Sequence, residues 1–542
     1  MSLLFTAQTT LAVCIGAIAW WFLHQYTSQR SLRCVPGPSS PSLLVGNMKQ
    51  MFSPPSLAFQ DHLNRTYGKV IKLNGLLGAK LLFVSDTKAL YSILIKDQNV
   101  FEEAEWFLEA NRVVFGPGLL ATLGAPTHRK QRKILNPAFS INHMRRMIPM
   151  FQSITLELQD ILRRELADGS KEIDMLEWMG KLALELIAQA GLGTTFGALQ
   201  GENNDYARAI KIYVPTISSV QLWRTLVPLY TSYVPQWLQR SLAKAIPSAT
   251  LKSLIDISDT MYDRSKEVWE KKKALHAMGD NSIVNQLGEG KDLMSLLLQS
   301  NITADEKDRL PDEELVAQMA TFMFAGTDTT SSALSRILYQ LAMYPDIQER
   351  LRKEVSEAGG DKGQLDYDTL IALPYLEAVC RETLRLFPPV PSVQRTQDFV
   401  VPLSQPIKGT DGKDYNELLV PNGTTIVINI RGVNYDPDIW GQDAHEWKPE
   451  RWLSPLPESV SNANIPGVYA NQMTFIGGGR ACIGFKFSQL EMKVVLSQLI
   501  SVFRFELPSK EIIWRWGNII SPSVVSNEGS HKSSLPMKVT LI

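Results

Sequence analysis

Cysteine is scarce in this 542-residue chain: Cys14, Cys34, Cys380 and Cys482 are all there is, and no two form a C-x-x-C pair. So low a density excludes a disulfide scaffold, fits a reducing compartment, and leaves at most one thiol that looks chemical. Neither sign of charge is in excess, with 55 Lys and Arg against 55 Asp and Glu. Binding to nucleic acid needs a basic surplus or stripe, so that partner class is excluded. Also missing are an internal repeat, a long low-complexity tract and a clear inter-domain linker, although the polar run 277–290 reads as a surface loop. Length alone admits three average domains or one continuous body.

What is present begins with residues 3–23, a stretch without charge. It is long enough to cross a bilayer, for which about 20 residues are needed. Trp20, Trp21 and Tyr26 at its end suit the interface, and Arg30 and Arg33 follow while no Lys or Arg precedes. The positive-inside rule then places the rest of the chain on the cytosolic side. A cleaved signal peptide is the alternative: Ala17-x-Ala19 resembles a cleavage site, but the start lacks the usual positive charge. The expected division is a single-pass transmembrane anchor and flank over 1–35 and one globular body over 36–542, joined by a stiff extended link at Pro36, Gly37, Pro38 and Pro41. Within the body, alternation over 69–85 predicts a hairpin or meander, spacing from about Ile141 to Gln348 is dominantly helical, and strand signals return after Pro391, notably over 424–430. The expected fold is mainly α with a smaller β portion.

The run Phe475-x-x-Gly478-x-Arg480-x-Cys482-x-Gly484 holds three consecutive glycines and feeds a helix-period pattern through Phe487, Leu490 and Val494. A cysteine at such a junction meets orphan N–H groups and the positive end of the helix dipole, and Arg480 adds charge; all favour the thiolate, the metal-binding form. The glycines let backbone donors approach the sulfur closely and tune it. One thiolate is too few ligands for a structural zinc or an iron–sulfur site, yet it suffices for heme, whose porphyrin supplies four nitrogens. An inert buried cysteine and a cysteine nucleophile are the alternatives, the second without a recognisable histidine segment to serve it. At each fixed position, Phe475, Gly478, Arg480, Cys482 and Gly484, the run resembles the heme signature of the cytochrome P-450 family, and the likeness covers essentially everything after the anchor.

A second motif lies on a long helix. Pro311, Asp312, Glu313 and Glu314 form a strong helix start, and the pattern runs to about Tyr344. Residues 319–325 are apolar on nearly all sides, so the helix should be buried. Then Gly326, Thr327, Asp328, Thr329 and Thr330 follow, all poor helix formers, together costing roughly 2–3 kcal/mol relative to alanine. Local conflict of that size points to a functional site, where a hydroxyl can bond back one turn and open room for a small ligand. The run resembles the family's oxygen-activating motif. That likeness implies Thr329 as the hydroxyl acting on oxygen, Asp328 as the proton-relay acid, and Gly326 as clearance over the heme.

Glu382 and Arg385 lie three apart in a helical run ended by Pro388 and Pro389, so they share a face. With Pro449-Glu450-Arg451-Trp452 they look like the family's structural ion network of Glu382, Arg385 and Arg451; Trp452 stands where phenylalanine is usual. For the heme propionates the resemblance implies Arg480, Arg395, and the pair His128 and Arg132, where the family often has tryptophan in place of His128. Arg129, Lys130 and Lys133 make that helix basic, which suits an acidic redox partner or an ordinary solvated face. The aromatic, proline-broken stretch 212–238 looks like the family's membrane-facing lid, although core packing explains such residues as well. Residues 101–120, Phe322 and 390–393 fall where the family lines its pocket.

The resemblance implies a cytochrome P-450 fold and a monooxygenase that carries heme b (iron protoporphyrin IX) on Cys482. It would use dioxygen and electrons from NADPH through an NADPH-cytochrome reductase, at the endoplasmic reticulum membrane with the body in the cytosol. The expected substrate is a lipophilic small molecule, a terpenoid or other secondary metabolite ahead of a fatty acid or sterol. The alternatives are a heme-thiolate isomerase or dehydratase and a non-enzymatic heme- or lipid-binding membrane protein.

Overall fold

The computed structural model describes residues 27–201, 204–278, 292–359, 364–390, 392–396, 399–525 and 533–542. Its helical layer contains, in chain order, α1 (Glu105–Phe115), α2 (Ala125–Leu135), α3 (Ile141–Glu165), α4 (Met175–Ile187), α5 (Asp205–Ser219), α6 (Ala249–Met278), α7 (Asp312–Met343), α8 (Pro374–Leu386) and α9 (Phe485–Ile500). α7 begins where the sequence predicts. Pro311 is its N-cap, and Asp312, Glu313 and Glu314 place three carboxylates against the positive end of the helix dipole. From Leu315 to Met323 every side chain is buried, so α7 threads the interior. It packs on α4 and touches α6, α8 and α9, while α9 also packs on α3.

The β portion centres on a five-stranded sheet built from β1 (Val70–Asn74), β2 (Lys80–Val84), β3 (Glu102–Glu103), β4 (Ser392–Thr396) and β5 (Thr425–Asn429), in the spatial order β1-β2-β5-β4-β3. The β1–β2 pair is the hairpin expected over 69–85; β2 and β5 run parallel, the other neighbours antiparallel. Alternation sorts its side chains cleanly. Val70, Leu82, Val84, Ile426 and Ile428 enter one core, while Ile71, Leu73, Phe83 and Val427 enter another on the opposite face. A C-terminal hairpin, β6 (Ile512–Gly517) and β7 (Ile519–Val524), turns at Asn518 with φ 70°, and its tip is tied to the end of α5 through the Ser218 hydroxyl, which donates to the Gly517 carbonyl at 3.1 Å. Ser332 on α7 donates to the Ile520 carbonyl at 2.5 Å, so the hairpin joins α5 to α7. The architecture is mainly helical with a smaller sheet portion, as expected.

Two expectations about the N-terminal region change. Leu32 and Val35 are fully buried beside Val70 and Leu82, so the body starts before Pro36. The proline-rich link is docked: the Lys72 N–H donates to the Pro36 carbonyl at 2.8 Å, and a Cβ on Gly37 would lie 1.9 Å from the Lys72 oxygen. It therefore edges the sheet and is no free spacer. Residues 3–23 lie outside the described residues, as does most of the run 277–290. Among the described residues no helix is long and apolar enough to cross a membrane.

The stretch 212–238 divides. Tyr213 is buried in α5, whereas Trp223, Tyr233 and Trp237 are exposed by 70%, 83% and 79% on the short helical segments that follow. Core packing explains the first and cannot explain the others.

Removing residues 1–35 takes Leu32 and Val35 from the core and should cost about 3 kcal/mol or more, whereas removing 1–26 should leave stability unchanged. Chemical unfolding of the two truncated proteins checks this; equal stabilities would show that the segment does not hold the core.

Candidate active site

The cysteine loop is closed by its own backbone. The Cys482 N–H donates to the Phe475 carbonyl at 3.0 Å and the Ala481 N–H to that of Gly478 at 3.1 Å. Gly478 takes φ +77°, and a Cβ there would lie 1.8 Å from the Leu94 oxygen; one on Gly477 would lie 2.2 Å from that of Pro466. Only glycine permits so close an approach. The loop delivers Cys482 three residues before α9, where the Gly484 N–H donates to the sulfur and Arg132 lends positive charge.

Burial outweighs both and pushes the Cys482 thiol up. The expectation that this junction by itself favours the thiolate is thus corrected; holding the anion in so dry a place takes a coordinated metal ion. Arg480 pairs with Glu102 and donates to the Thr122 carbonyl at 3.1 Å. Cys482 keeps exposed surface although its thiol is desolvated, which places that surface on interior space walled by protein. Cys380, by contrast, is enclosed, its thiol pushed up to about 12 by burial, and Cys34 donates to the Ser31 carbonyl at 3.1 Å. Cys14 lies outside the described residues.

On α7 the Thr327 and Thr329 hydroxyls donate to the carbonyls of Met323 and Ala325, each at 2.7 Å, and the helix stays continuous. The hydroxyl hydrogen of Thr329 being so engaged, its oxygen is free to accept from outside the helix. Asp328 is half-buried, and desolvation pushes its carboxyl up to about 7, so it can take and release a proton near neutral pH. Gly326 has a packing role as well: a Cβ there would lie 2.8 Å from Ile187, so its small size lets α7 close on α4.

Aromatic rings tie this segment to its neighbours. Phe324, one turn before Asp328, stacks on Phe115 of α1 at 5.0 Å and meets Tyr213 of α5 edge-on at 4.9 Å. Phe322 meets Phe139 at 5.6 Å, and the same Phe139 ring stands 4.0 Å from where a Gly484 Cβ would be, linking α7 to the cysteine loop. His128, Arg132 and Arg480 line one cavity of about 650 Å³, with Phe101, Glu102 and Arg129 at its walls. His128 is buried. Arg132 donates to the Ala481 carbonyl at 2.5 Å and, among the described residues, has no carboxylate partner. Arg395 has its backbone in β4 opposite Glu103 and Ile426, and its side chain lies outside the described residues.

A family model for cytochrome P-450 matches residues 36–518. The chain belongs to the cytochrome P-450 family. It is 50% identical over 508 residues to cytochrome P-450 monooxygenase 91 of Postia placenta, covering 93% of each chain. It is 42% identical over 530 residues to a ganoderic acid synthetase of Ganoderma lucidum, covering 96% of each. A cytochrome P-450 monooxygenase of Hericium erinaceus is 34% identical over 550 residues. The protein is accordingly a monooxygenase of this family, whose members carry heme.

The site fits that cofactor. Heme needs an axial ligand facing interior space, which Cys482 provides, and cations for its two propionates. His128, Arg132 and Arg480 gather at one cavity beside the cysteine loop, and Arg132, desolvated without a carboxylate, is in want of an anion.

The structural ion network of this cytochrome P-450 is complete. Glu382 and Arg385, both 0% exposed, pair at 2.7 Å, and Arg451 reaches Glu382 at 3.3 Å and Asp443 at 2.8 Å. The unusual Trp452 donates its indole N–H to Glu382 at 3.0 Å, a bond phenylalanine could not make. One feature escaped the sequence reading. Glu491 of α9 is fully buried. Burial pushes its carboxyl well above the ordinary range, and the Thr330 hydroxyl beside it lowers it by less. A lone glutamate in a helical run gives no sign of this, because its depth depends on α7 lying against α9.

Glu382→Ala leaves Arg385 buried with carbonyls alone and should cost about 3–5 kcal/mol, read by chemical unfolding and by heme content; a loss under 1 kcal/mol, about the worth of an exposed pair, would refute the network's role. Glu491 should depress stability as pH rises, since its raised pKa leaves stability intact below the ordinary carboxyl range and removes it on the way up to the raised value. Glu491→Gln is neutral throughout, so its advantage in melting temperature should widen from about pH 5 to about pH 8. A constant gap would show that the carboxyl is not desolvated.

Proposed function

We propose that this cytochrome P-450 inserts one atom of dioxygen into a lipophilic small molecule and reduces the other to water, taking electrons from NADPH through a reductase. A terpenoid or other secondary metabolite is favoured over a fatty acid or sterol, and similarity to a ganoderic acid synthetase is compatible with that class. Cys482 is the axial ligand; His128, Arg132, Arg395 and Arg480 are assigned to the propionates, with Phe475 and Gly484 shaping the loop. When bound, heme supplies the iron that binds and activates dioxygen.

The observation that carries the reading is Asp328, a carboxyl raised to about 7, beside Thr329 on a buried helix. A proton donor poised at neutral pH next to a hydroxyl serves a reaction that delivers protons to oxygen. An isomerase or a heme or lipid carrier has no such need, and a dehydratase, which also protonates a departing oxygen, differs in needing no NADPH. Attachment to the endoplasmic reticulum with a cytosolic body is supported by the uncharged run 3–23 and by exposed Trp223, Leu229, Tyr233 and Trp237. Arg129 and Lys130 at the cavity rim support docking of an acidic reductase surface; Lys133 is held by Asp308 at 2.6 Å and contributes less.

Full-length protein supplied with NADPH, NADPH-cytochrome reductase, isotopically labelled dioxygen and a panel of terpenoids, sterols and fatty acids should yield a product carrying one labelled oxygen. Thr329→Ala should keep its heme and divert most reducing equivalents to hydrogen peroxide; full coupling in that variant would refute its role. Turnover without NADPH and reductase would establish the isomerase or dehydratase reading. Ligand-induced spectral shifts without NADPH consumption across the panel would establish a binding protein.

A further inference from the structure

Among the described residues Arg224 is a cation without a counter-ion. It lies in the short helix Trp223–Leu226 that follows α5, only 5% exposed. Its Nη1 donates to Gln221 Oε1 at 3.1 Å and its Nη2 to Asn111 Oδ1 of α1 at 3.5 Å, both neutral acceptors, while its Nε is buried with no partner. The guanidinium stands 5.1 Å from the Trp106 ring and 5.7 Å from that of Phe107, both on α1. Among the described residues no carboxylate pairs with it. Leaving a buried charge in that condition is costly, by several kcal/mol in general, and an anion that paired with it would relieve that cost.

The surroundings say where such a ligand would lie. Asn111, which Arg224 contacts, lies one turn before Phe115 on α1, and Phe115 and Tyr213 both pack on Phe324, one turn before Asp328, so a continuous row of side chains links the guanidinium to the proton-relay acid. Tyr213, Phe115 and Phe324 form the aromatic cluster above Asp328. A single guanidinium in aromatic walls suits one negative charge on a largely apolar molecule, whereas a phosphate dianion would call for further cations.

We propose that Arg224 binds the carboxylate of a lipophilic monocarboxylic acid and holds the rest of that molecule along the Phe115–Tyr213–Phe324 cluster toward Asp328. This rests on the monooxygenase reading and deepens it by naming a polar group of the ligand. Arg224 is thereby a specificity-determining residue, joining the segment after α5 to α1 through the ligand's own charge.

The test compares acid and methyl-ester pairs on three skeletons, a linear sixteen-carbon chain, a diterpenoid and a triterpenoid, by substrate-type spectral shift and equilibrium dialysis on the full-length holoenzyme. At least one acid should bind roughly 10- to 100-fold tighter than its ester, the worth of a buried charge-assisted bond. Arg224→Gln should erase that preference while leaving ester affinity within about threefold, and Arg224→Lys should restore part of it. An unchanged thiolate-type spectrum of the reduced carbon monoxide complex certifies that each variant is folded. The proposal is overturned if no acid outbinds its ester, or if the preference survives in Arg224→Gln. Oxidation of esters or alcohols without any acid preference would leave the monooxygenase reading standing and sink this one alone.

Discussion

The buried pairing of Glu382 with Arg385 is the interaction on which the rest of the site depends. Arg385 gives two bonds to the carboxylate and others to the carbonyls of Asn434, Ala444 and Glu446. Asn434 in turn accepts from the Met473 N–H at 2.8 Å and donates to the Thr474 hydroxyl at 3.0 Å. Those residues lead directly into Phe475 and the loop that carries Cys482. A fully desolvated charge cannot leave its partner cheaply, so the backbone gathered around it is fixed in place. The position of Cys482 is a consequence of an ion pair that takes no part in the chemistry.

Dryness is the second organising condition, and it acts differently on each titratable group. Burial raises the thiol of Cys482, against the approach of Arg132 and the Gly484 N–H. The same condition brings Asp328 to about 7, where a carboxyl becomes a useful proton carrier, and drives Glu491 further still. Arg224 meets it with aromatic faces and neutral amides. One low-dielectric interior thus supplies a ligand site, an acid and an unbalanced cation, their differences set by nearest neighbours.

Much of this was legible in the chain order. The five fixed positions around Cys482, the Asp328–Thr329 run and the Glu382–Arg385 spacing each pair residue types with local geometry that short-range rules describe. The start of α7 at Pro311 and the β1–β2 hairpin followed from capping and alternation. The N-terminal boundary did not, because Leu32 and Val35 are ordinary apolar residues until the sheet covers them. The packing role of Gly326 was hidden for a similar reason: sequence shows that a side chain is absent, and only packing shows that Ile187 occupies the space. Trp452 looked like a harmless departure, and its indole donor to Glu382 emerged only with the folded loop.

Local order by itself determined the family, the mainly helical class, the heme signature around Cys482 and the adjacency of Asp328 and Thr329, since all of these reside in contiguous motifs with fixed spacing. Tertiary structure alone decided which groups are dry, which cations are satisfied and which glycines are needed for contact. Solvation and pairing depend on what distant segments place around an atom, and spacing along the chain carries no record of that.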